Sequence, residues 1–340
     1  MSVTIEDVAK AANVSIATVS RVINGTKAVS PETEMRVLKA INAMQFKPNH
    51  FARGLSSNQS DMIGVIVTDI ANWVIAAVIK GINSVCQERG YTLMVSESGG
   101  NPDREKELLR HLEEQKAAGV LFAGLNVTEE ITDRMMETEY PVVLVTQEST
   151  DGKHRLNTVI HDNVSATVDA VKFLYANGHR KIAFIGGLKN DYSSTIKRVE
   201  GLKKACSELN LSIPDSYLVY GDFSYESGFT CMRQLFEENA TLPTAVVAGS
   251  DMIAIGAIAC ADTLGLRVPV DLSVMGFDDY ELAKYYRPSL PTVRIPYFLE
   301  GKKAAERLFS LIETGVKTTG EIEYVPHKVI RRLSVRDVTR

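Results

Sequence analysis

The sequence has few cysteines and no long apolar run. Its 340 residues include four cysteines, none in a C-x-x-C pair: Cys86, Cys206, Cys231 and Cys260. Their spacing suits no zinc site, so we expect buried, reduced thiols. No apolar stretch reaches the roughly 18–20 residues that a membrane span needs. The N-terminus, MSVTIEDVAK, carries acidic residues where a signal peptide would be apolar. We therefore expect a cytoplasmic protein of two or three domains.

Catalytic motifs are also missing. The sequence contains no G-x-G-x-x-G, P-loop, G-x-S-x-G or H-E-x-x-H pattern. Its six histidines are scattered, and His179 lies in a turn before a predicted strand, where a structural role is expected. We expect no enzymatic activity, no cofactor and no metal site.

Charge is divided unevenly along the chain. Residues 1–60 hold seven Lys and Arg against four Asp and Glu, a formal charge of +3, whereas the whole chain carries −4. The remaining 280 residues therefore carry −7. A basic end on an acidic body predicts that the basic end meets a polyanion.

Three short helices are predicted in this basic end. Thr4 caps the first and Asp7 completes a capping box. Ser15 caps the second, from Ile16 to about Asn24. Ser30 caps the third, with Pro31 at its first position. The predicted buried positions are Ile5, Val8, Ala9, Ala12, Val19, Val22, Ile23, Val37, Leu38, Ile41 and Met44. Two short helices joined by a tight turn and braced by a third make a helix-turn-helix domain.

The second helix would enter the major groove of DNA through its first turn. Arg21 can fork onto guanine O6 and N7, and the apolar Ile16 and Ala17 can meet a thymine methyl group. The alternative is a three-helix bundle without a DNA role, in which Arg21 is an ordinary surface charge.

The rest of the chain alternates short apolar runs with helical stretches. The predicted strands form two sets: 63–67, 91–95, 120–123 and 142–145, then 182–185, 217–220, 245–248 and 273–277. Such alternation predicts parallel sheets with helices on both faces, here in two similar lobes. Ligands of open α/β sheets bind beyond the carboxyl ends of the strands, so the cleft between the lobes is the expected pocket.

Several segments together resemble the lactose-repressor (LacI/GalR) family of bacterial regulators. TIEDVAKAANVSIATVSRVINGT, VSPET and FKPNHFARGLSS resemble its DNA-binding domain and hinge. Further similar segments are IGVIVTDIANW, RKIAFIGG, KRVEGL, GDFSYESG, PTAVVAGSDMIAIGA, LSVMGFDDYELAKYYRPSLPTV and IRRLSV. The second helix, SIATVSRV, is similar to the SMATVSRV type of catabolite control proteins.

The resemblance implies a helix-turn-helix headpiece over residues 1–46, a hinge over 47–60 and a core over 61–340 like the periplasmic sugar-binding proteins. The chain would cross between lobes near Ile160, Pro291 and Gly320. Lobe one would then hold about 61–160 and 292–320, and lobe two about 161–291 and 321–340.

DNA contacts are expected in both the headpiece and the hinge. The candidates are Thr4, Ser15, Ile16, Ala17, Thr18, Ser20, Arg21, Asn24, Ser30, Thr33, Asn49, Ala52, Arg53 and Leu55. In the family a hinge leucine wedges into the minor groove, and Leu55 matches that position. On the residues alone, Leu55 is equally a partly buried loop leucine.

Six core residues match positions that line the effector pocket in the family. They are Trp73, Asp162, Arg198, Phe223, Asp251 and Tyr297. Carboxylates, a guanidinium and aromatic faces suit a sugar, although a nucleobase could use them too. Taken one at a time, each is as readily a helix cap or a lobe-interface ion pair. Ile295 stands where sugar-binding relatives often carry a polar residue.

The resemblance therefore implies a homodimeric repressor of carbohydrate-utilisation genes in the bacterial cytoplasm, at the nucleoid. It would bind a pseudo-palindromic operator in double-stranded DNA and respond to a sugar or sugar phosphate. The alternative is a global catabolite-control regulator whose effector is a phosphorylated carrier protein. A transport binding protein is a third possibility, opposed by the basic headpiece and by the lack of a signal peptide.

Overall fold

The computed structural model describes residues 3–24, 29–44 and 60–339, with only the backbone of residues 23 and 24. The chain divides into two compact units, Met1–Asp61 and Met62–Arg340. The first contains α1 (Ile5–Ala12), α2 (Ile16–Asn24) and α3 (Pro31–Ala43). The helical headpiece and the two-lobed α/β core that the sequence predicts are both confirmed.

Polar caps start the headpiece helices where the sequence predicts them. At α1 the Asp7 N–H donates to Thr4 Oγ1 at 3.3 Å, and the Thr4 N–H donates to Asp7 Oδ2 at 2.9 Å. Each bond satisfies a backbone N–H that the helix itself leaves without a partner. Ser30 accepts from the Thr33 N–H in the same way at α3.

A small apolar core holds the three helices together. Its buried members are Val8, Ala9, Ala12, Val19, Val37 and Ala40. The prediction that Leu38 belongs to this core is wrong, because its side chain is 47% exposed. On a helix with 3.6 residues per turn, Val37 shares its face with Ala40, Ile41 and Met44, and Leu38 points about 100° away from Val37.

Two six-stranded sheets form the core unit. The first, in the order β11-β5-β4-β3-β1-β2, is entirely parallel. The second has the order β12-β10-β9-β8-β6-β7, with β12 antiparallel to β10. The strands are β1 (Met62–Val67), β2 (Thr92–Glu97), β3 (Gly119–Ala123), β4 (Val142–Val145), β5 (Asn157–His161), β6 (Ile182–Gly186), β7 (Leu218–Tyr220), β8 (Ala245–Ala248), β9 (Ser273–Asp278), β10 (Thr292–Arg294), β11 (Ile322–Val325) and β12 (Lys328–Ile330).

Helices cover these sheets. They are α4 (Trp73–Glu88), α5 (Pro102–Glu114), α6 (Glu129–Glu137), α7 (Asn163–Ala176), α8 (Lys197–Glu208), α9 (Tyr225–Glu237), α10 (Asp251–Thr263), α11 (Glu281–Tyr285) and α12 (Tyr297–Thr314). Helix α12 returns to the first lobe and packs closely on α4. A Cβ added at Gly81 would lie 2.0 Å from the Phe298 carbonyl oxygen, and one at Gly301 would lie 2.1 Å from that of Val78. The two glycines therefore allow the backbones of α4 and α12 to approach each other closely.

The chain crosses between lobes three times. The first crossing follows His161, next to the predicted Ile160. The second lies later than the predicted Pro291, because β10 pairs with β9 and so belongs to the second lobe. The third lies beyond Gly320, because β11 still pairs with β5 in the first sheet. These strands have three and four residues, which is too short for a periodic sequence signal.

The four cysteines are free and buried, as expected. Within residues 3–24, 29–44 and 60–339, no helix has both the length and the apolar character that a bilayer span demands.

Candidate DNA-reading helix and effector cleft

Helix α2 and its cap Ser15 contain half of the fourteen candidate DNA contacts. Ser15 accepts a hydrogen bond from the Thr18 N–H at 3.1 Å, which fixes the first turn. Ile16, Ala17 and Arg21 are exposed, whereas Val19 on the opposite face is fully buried. This half of the helix is therefore free to meet a partner.

Most of the other headpiece candidates lie at helix starts, whereas Ser20 lies within α2 and Asn24 ends it. Thr4, Ser15 and Ser30 are exposed caps, and Thr18, Ser20 and Thr33 are half-buried. The Asn24 side chain and the hinge candidates Asn49, Ala52, Arg53 and Leu55 lie outside the described residues.

The cleft between the two lobes encloses a cavity of about 120 Å³. Its first-lobe lining is Thr68, Asn72, Val74, Ile75, Ala123, Gly124, Leu125, Thr146, Gln147, His161 and Tyr297. Its second-lobe lining is Asp191, Ser194, Arg198, Phe223, Asp278 and Tyr280. Three of the six predicted effector residues, Arg198, Phe223 and Tyr297, are therefore brought together here.

Arg198 is buried and fixed by the protein. Its Nε donates to Asn163 Oδ1 at 2.8 Å, another nitrogen donates to the Gly249 carbonyl, and its guanidinium lies 3.7 Å from the centre of the Phe277 ring. Nη2 lies 3.8 Å from Asp278 Oδ1. This guanidinium orients neighbouring groups more than it reaches into the cavity.

Asp278 ends strand β9 in a strained conformation. Its φ of 100° and that of Asp279, 62°, are unusual for residues with a side chain. Asp278 accepts a hydrogen bond from the Tyr297 hydroxyl at 2.6 Å, which links the two lobes. Burial raises the pKa of Asp278, while nearby Arg198 opposes that rise.

Asp251 is not among the lining residues. It is fully buried at the start of α10, where it accepts from the Thr292 hydroxyl at 2.7 Å and from the Tyr280 N–H at 2.6 Å. Burial, and then the charge of Asp278, raise its pKa well above the usual range. In this structure the carboxyl holds the segment that carries Tyr280.

Asp162 also lies outside the cleft cavity. It caps α7, accepting from the Ser165 N–H at 2.9 Å, and lines a separate cavity of about 300 Å³. His161 forms part of the wall of both cavities. The helix-cap role that the sequence left open is the one this structure gives to Asp162.

Trp73 contacts the cavity indirectly. It begins α4, is 60% exposed, and stacks on Tyr280 of the other lobe. Tyr280 itself lines the cavity. Trp73 thus covers one of the walls instead of lining the space.

Sequence reasoning missed several lining residues, among them Gln147, Asp191, Asp278 and Tyr280. Asp278 and Tyr280 directly follow a predicted strand, in the segment FDDY, so the strand-end rule could have identified them. Asp191 lies in a loop ahead of a short π-helix, for which the sequence offers no comparable signal.

A helix-turn-helix unit joined to a two-lobed core with a cavity lined by both lobes is the architecture of a ligand-controlled DNA-binding protein. Two family models match: "Bacterial regulatory proteins, lacI family" over residues 4–49 and "Periplasmic binding protein-like domain" over residues 171–335.

Relatives that match over almost their whole length agree with these two family models. Catabolite control protein A of Priestia megaterium is 37% identical, covering 99% of this chain and all of the relative. The transcriptional repressor PurR of Klebsiella pneumoniae is 33% identical, covering 98% of this chain and 97% of the relative. The structure of the Lac repressor dimer bound to operator and an anti-inducer has a TM-score of 0.89 at 27% identity, covering 99% of this chain and all of that one.

The chain belongs to the lacI family of bacterial regulatory proteins, as the sequence predicts. It is a DNA-binding transcriptional repressor by class, and members of this family regulate transcription rather than catalyse reactions.

Proposed function

We propose that this protein represses carbohydrate-utilisation genes in the cytoplasm. It binds a pseudo-palindromic operator as a homodimer and is controlled by a small sugar-like effector between its lobes. The headpiece spans residues 1–46, the hinge 47–60 and the core the remainder. The cleft has a binding role and no catalytic one.

The cavity is the observation that carries the effector assignment. It is lined by both lobes and combines the aromatic Phe223, Tyr280 and Tyr297 with carboxyl, amide and hydroxyl groups. Such a mixture suits a small polar ligand with apolar faces. A transcriptional regulator CelR, solved as a cellobiose complex, has a TM-score of 0.75 at 28% identity, covering 98% of this chain and 99% of that one.

An exposed sheet edge supports the homodimer. Strand β2 ends the first sheet, and its Met94 and Val95 are 41% and 37% exposed. An open edge with apolar side chains is a ready surface for a second copy. A two-fold dimer would in turn require an operator with two similar half-sites.

Selection of bound DNA from a random pool, with and without candidate sugars, tests the proposal. We expect enrichment of a pseudo-palindrome and a change in retention when the correct sugar is added. Enrichment of a single, asymmetric half-site would contradict the dimer. A palindrome whose retention responds to no sugar would contradict the effector.

The second candidate is a catabolite-control regulator that binds a phosphorylated carrier protein. The 37% identity to a catabolite control protein over the whole chain favours it. Calorimetry with a phosphorylated carrier protein and with sugars separates the two. Binding of the phosphoprotein without any sugar response would favour this second candidate.

A further inference from the structure

We propose that the interlobe cavity takes an uncharged, hydroxyl-rich ligand and discriminates against phosphorylated sugars. This inference rests on the proposed function, because it names the effector class of the same cleft. It follows from the charges and hydrogen-bond acceptors that line the cavity.

Negative charge outnumbers positive charge in the lining. The side chains that face the cavity include the carboxyls of Asp191 and Asp278 and one guanidinium, that of Arg198. All three are buried, with exposures of 2%, 7% and 3%. A phosphate would bring further negative charge into a site where water screens little.

Arg198 is poorly placed to offset that charge. Its nitrogens already serve Asn163 and Gly249, a third lies near Asp278, and Phe277 covers its face. A phosphate-binding arginine needs its fork of donors directed at the ligand. In Arg198, most of the guanidinium nitrogens already donate to acceptors of the protein itself.

Some other nitrogen groups near the cavity are also engaged in hydrogen bonds or ion pairs within the protein. His161 has Nδ1 3.2 Å from Glu300 Oε2 and Nε2 3.1 Å from Asn163 Oδ1. At the start of α4, Asn72 Oδ1 accepts the Val74 N–H at 2.9 Å. Asp191 does the same for the Ser194 N–H at 3.1 Å. These caps occupy donors that could otherwise bind a phosphate.

In contrast, one hydrogen-bond acceptor of the cavity lining lacks a donor in the part of the chain that the structure describes. Gln147 Oε1 is buried and accepts no hydrogen bond from the described residues. A ligand hydroxyl would supply a donor to this oxygen without adding charge, and a sugar ring has C–H faces for Phe223 and Tyr280.

The test compares matched pairs of sugars on the full chain: glucose with glucose 6-phosphate, ribose with ribose 5-phosphate, and cellobiose with cellobiose 6-phosphate. Trp73 is the only tryptophan and stacks on a cavity wall, so its fluorescence reports binding. We expect the neutral member of the responding pair to bind at least about tenfold more tightly, the scale of a close like-charge contact.

Equal or tighter binding of a phosphorylated member would overturn this inference and leave the sugar effector intact. Tighter binding of glucosamine than of glucose would reject an uncharged ligand. If no member of any pair binds, the sugar effector itself is contradicted, and this inference falls with it.

Asp191→Asn tests the charge directly. Removing one carboxylate should narrow the preference for the neutral member several-fold. Asp103→Asn is the matched control, because Asp103 is 94% exposed on α5 and should leave the preference unchanged. Thermal unfolding checks that both variants fold. If Asp191→Asn does not fold, the comparison of paired sugars on the unsubstituted chain still shows whether the cavity prefers the neutral member.

Discussion

Trp73 and Tyr280 stack across the effector cleft, with ring centroids 5.9 Å apart and planes inclined by 24°. Trp73 begins α4 in the first lobe, and Tyr280 follows β9 in the second. The Tyr280 N–H is held by the buried Asp251. A surface aromatic of one lobe is thus paired with a fixed aromatic of the other, which favours the closed cleft.

Replacing Tyr280 with leucine should weaken this closure. Aromatic pairs contribute about 0.5–1.5 kcal/mol beyond the area they bury, so effector affinity should fall by roughly 2- to 13-fold. The Trp73 emission of the free protein should also change. Tyr285→Leu removes a 56% exposed tyrosine from α11 and serves as the control. Unchanged emission and affinity in Tyr280→Leu would show that the stack has no role in closure.

Most of the fold could be predicted because its signals are local. Capping residues such as Thr4, Ser15 and Ser30 mark helix starts, and eight of the strands appear as apolar runs. Strands β5, β10, β11 and β12 were not predicted as strands. β5 pairs with β11, and β10 pairs with β12, so each has a partner distant in sequence that only the folded sheet defines.

The site was less predictable, because a residue type does not reveal which of its neighbours it will meet. Arg198, Phe223 and Tyr297 line the cavity. Asp162 and Asp251 instead accept hydrogen bonds from the protein's own backbone N–H and hydroxyl groups. An aspartate just after a strand serves equally as a cap, a brace or a ligand contact. Only the positions of the surrounding donors distinguish these roles.

Asp251→Ala should therefore destabilise the fold. It leaves the Thr292 hydroxyl and the Tyr280 N–H without their acceptor, and a buried unsatisfied group costs about 1–3 kcal/mol. Urea unfolding measures the loss. Asp262→Ala, at an exposed position of the same helix, should change little. Unchanged unfolding free energy together with lost effector binding would return Asp251 to the role of a ligand contact.

Glu105 should make stability depend on pH. It is 1% exposed, and burial raises the pKa of its carboxyl from 4.5 to about 7, although the Ser98 hydroxyl opposes the shift. Between these values the unfolded chain has released a proton that the folded chain retains. The unfolded state therefore binds fewer protons, and stability falls as pH rises from about 4.5 to about 7.

Glu105→Gln should remove this loss of stability at rising pH. Relative to the unsubstituted protein, its unfolding free energy should increase with pH and gain up to about 3 kcal/mol by pH 8. Urea titrations at several pH values measure the trend. Glu114→Gln, an exposed position on the same helix, is the control. A difference that stays constant with pH would mean that Glu105 ionises normally in the folded protein.

Met94→Lys should disrupt the proposed dimer. Met94 is exposed on β2 at the edge of the first sheet, and a lysine on an edge strand discourages pairing with another strand. Light scattering at micromolar concentration should show a monomer with weaker operator binding. Leu264→Lys, at a 42% exposed position in the second lobe, is the control. A Met94→Lys protein that remains dimeric would place the interface elsewhere.

Arg21→Ala tests base reading by the headpiece. Arg21 is exposed on α2, opposite the buried Val19, and its removal should leave the helical core intact. If the guanidinium forks onto a guanine, the substitution should cost about 1–3 kcal/mol on the selected operator and far less on random DNA. Fluorescence anisotropy with both DNAs at one salt concentration measures the difference. Arg36→Ala removes the same charge from an exposed position on α3, so it controls for general attraction to phosphates. Equal losses on operator and random DNA would reduce Arg21 to a phosphate contact, and sequence reading would then depend on the other exposed residues of α2.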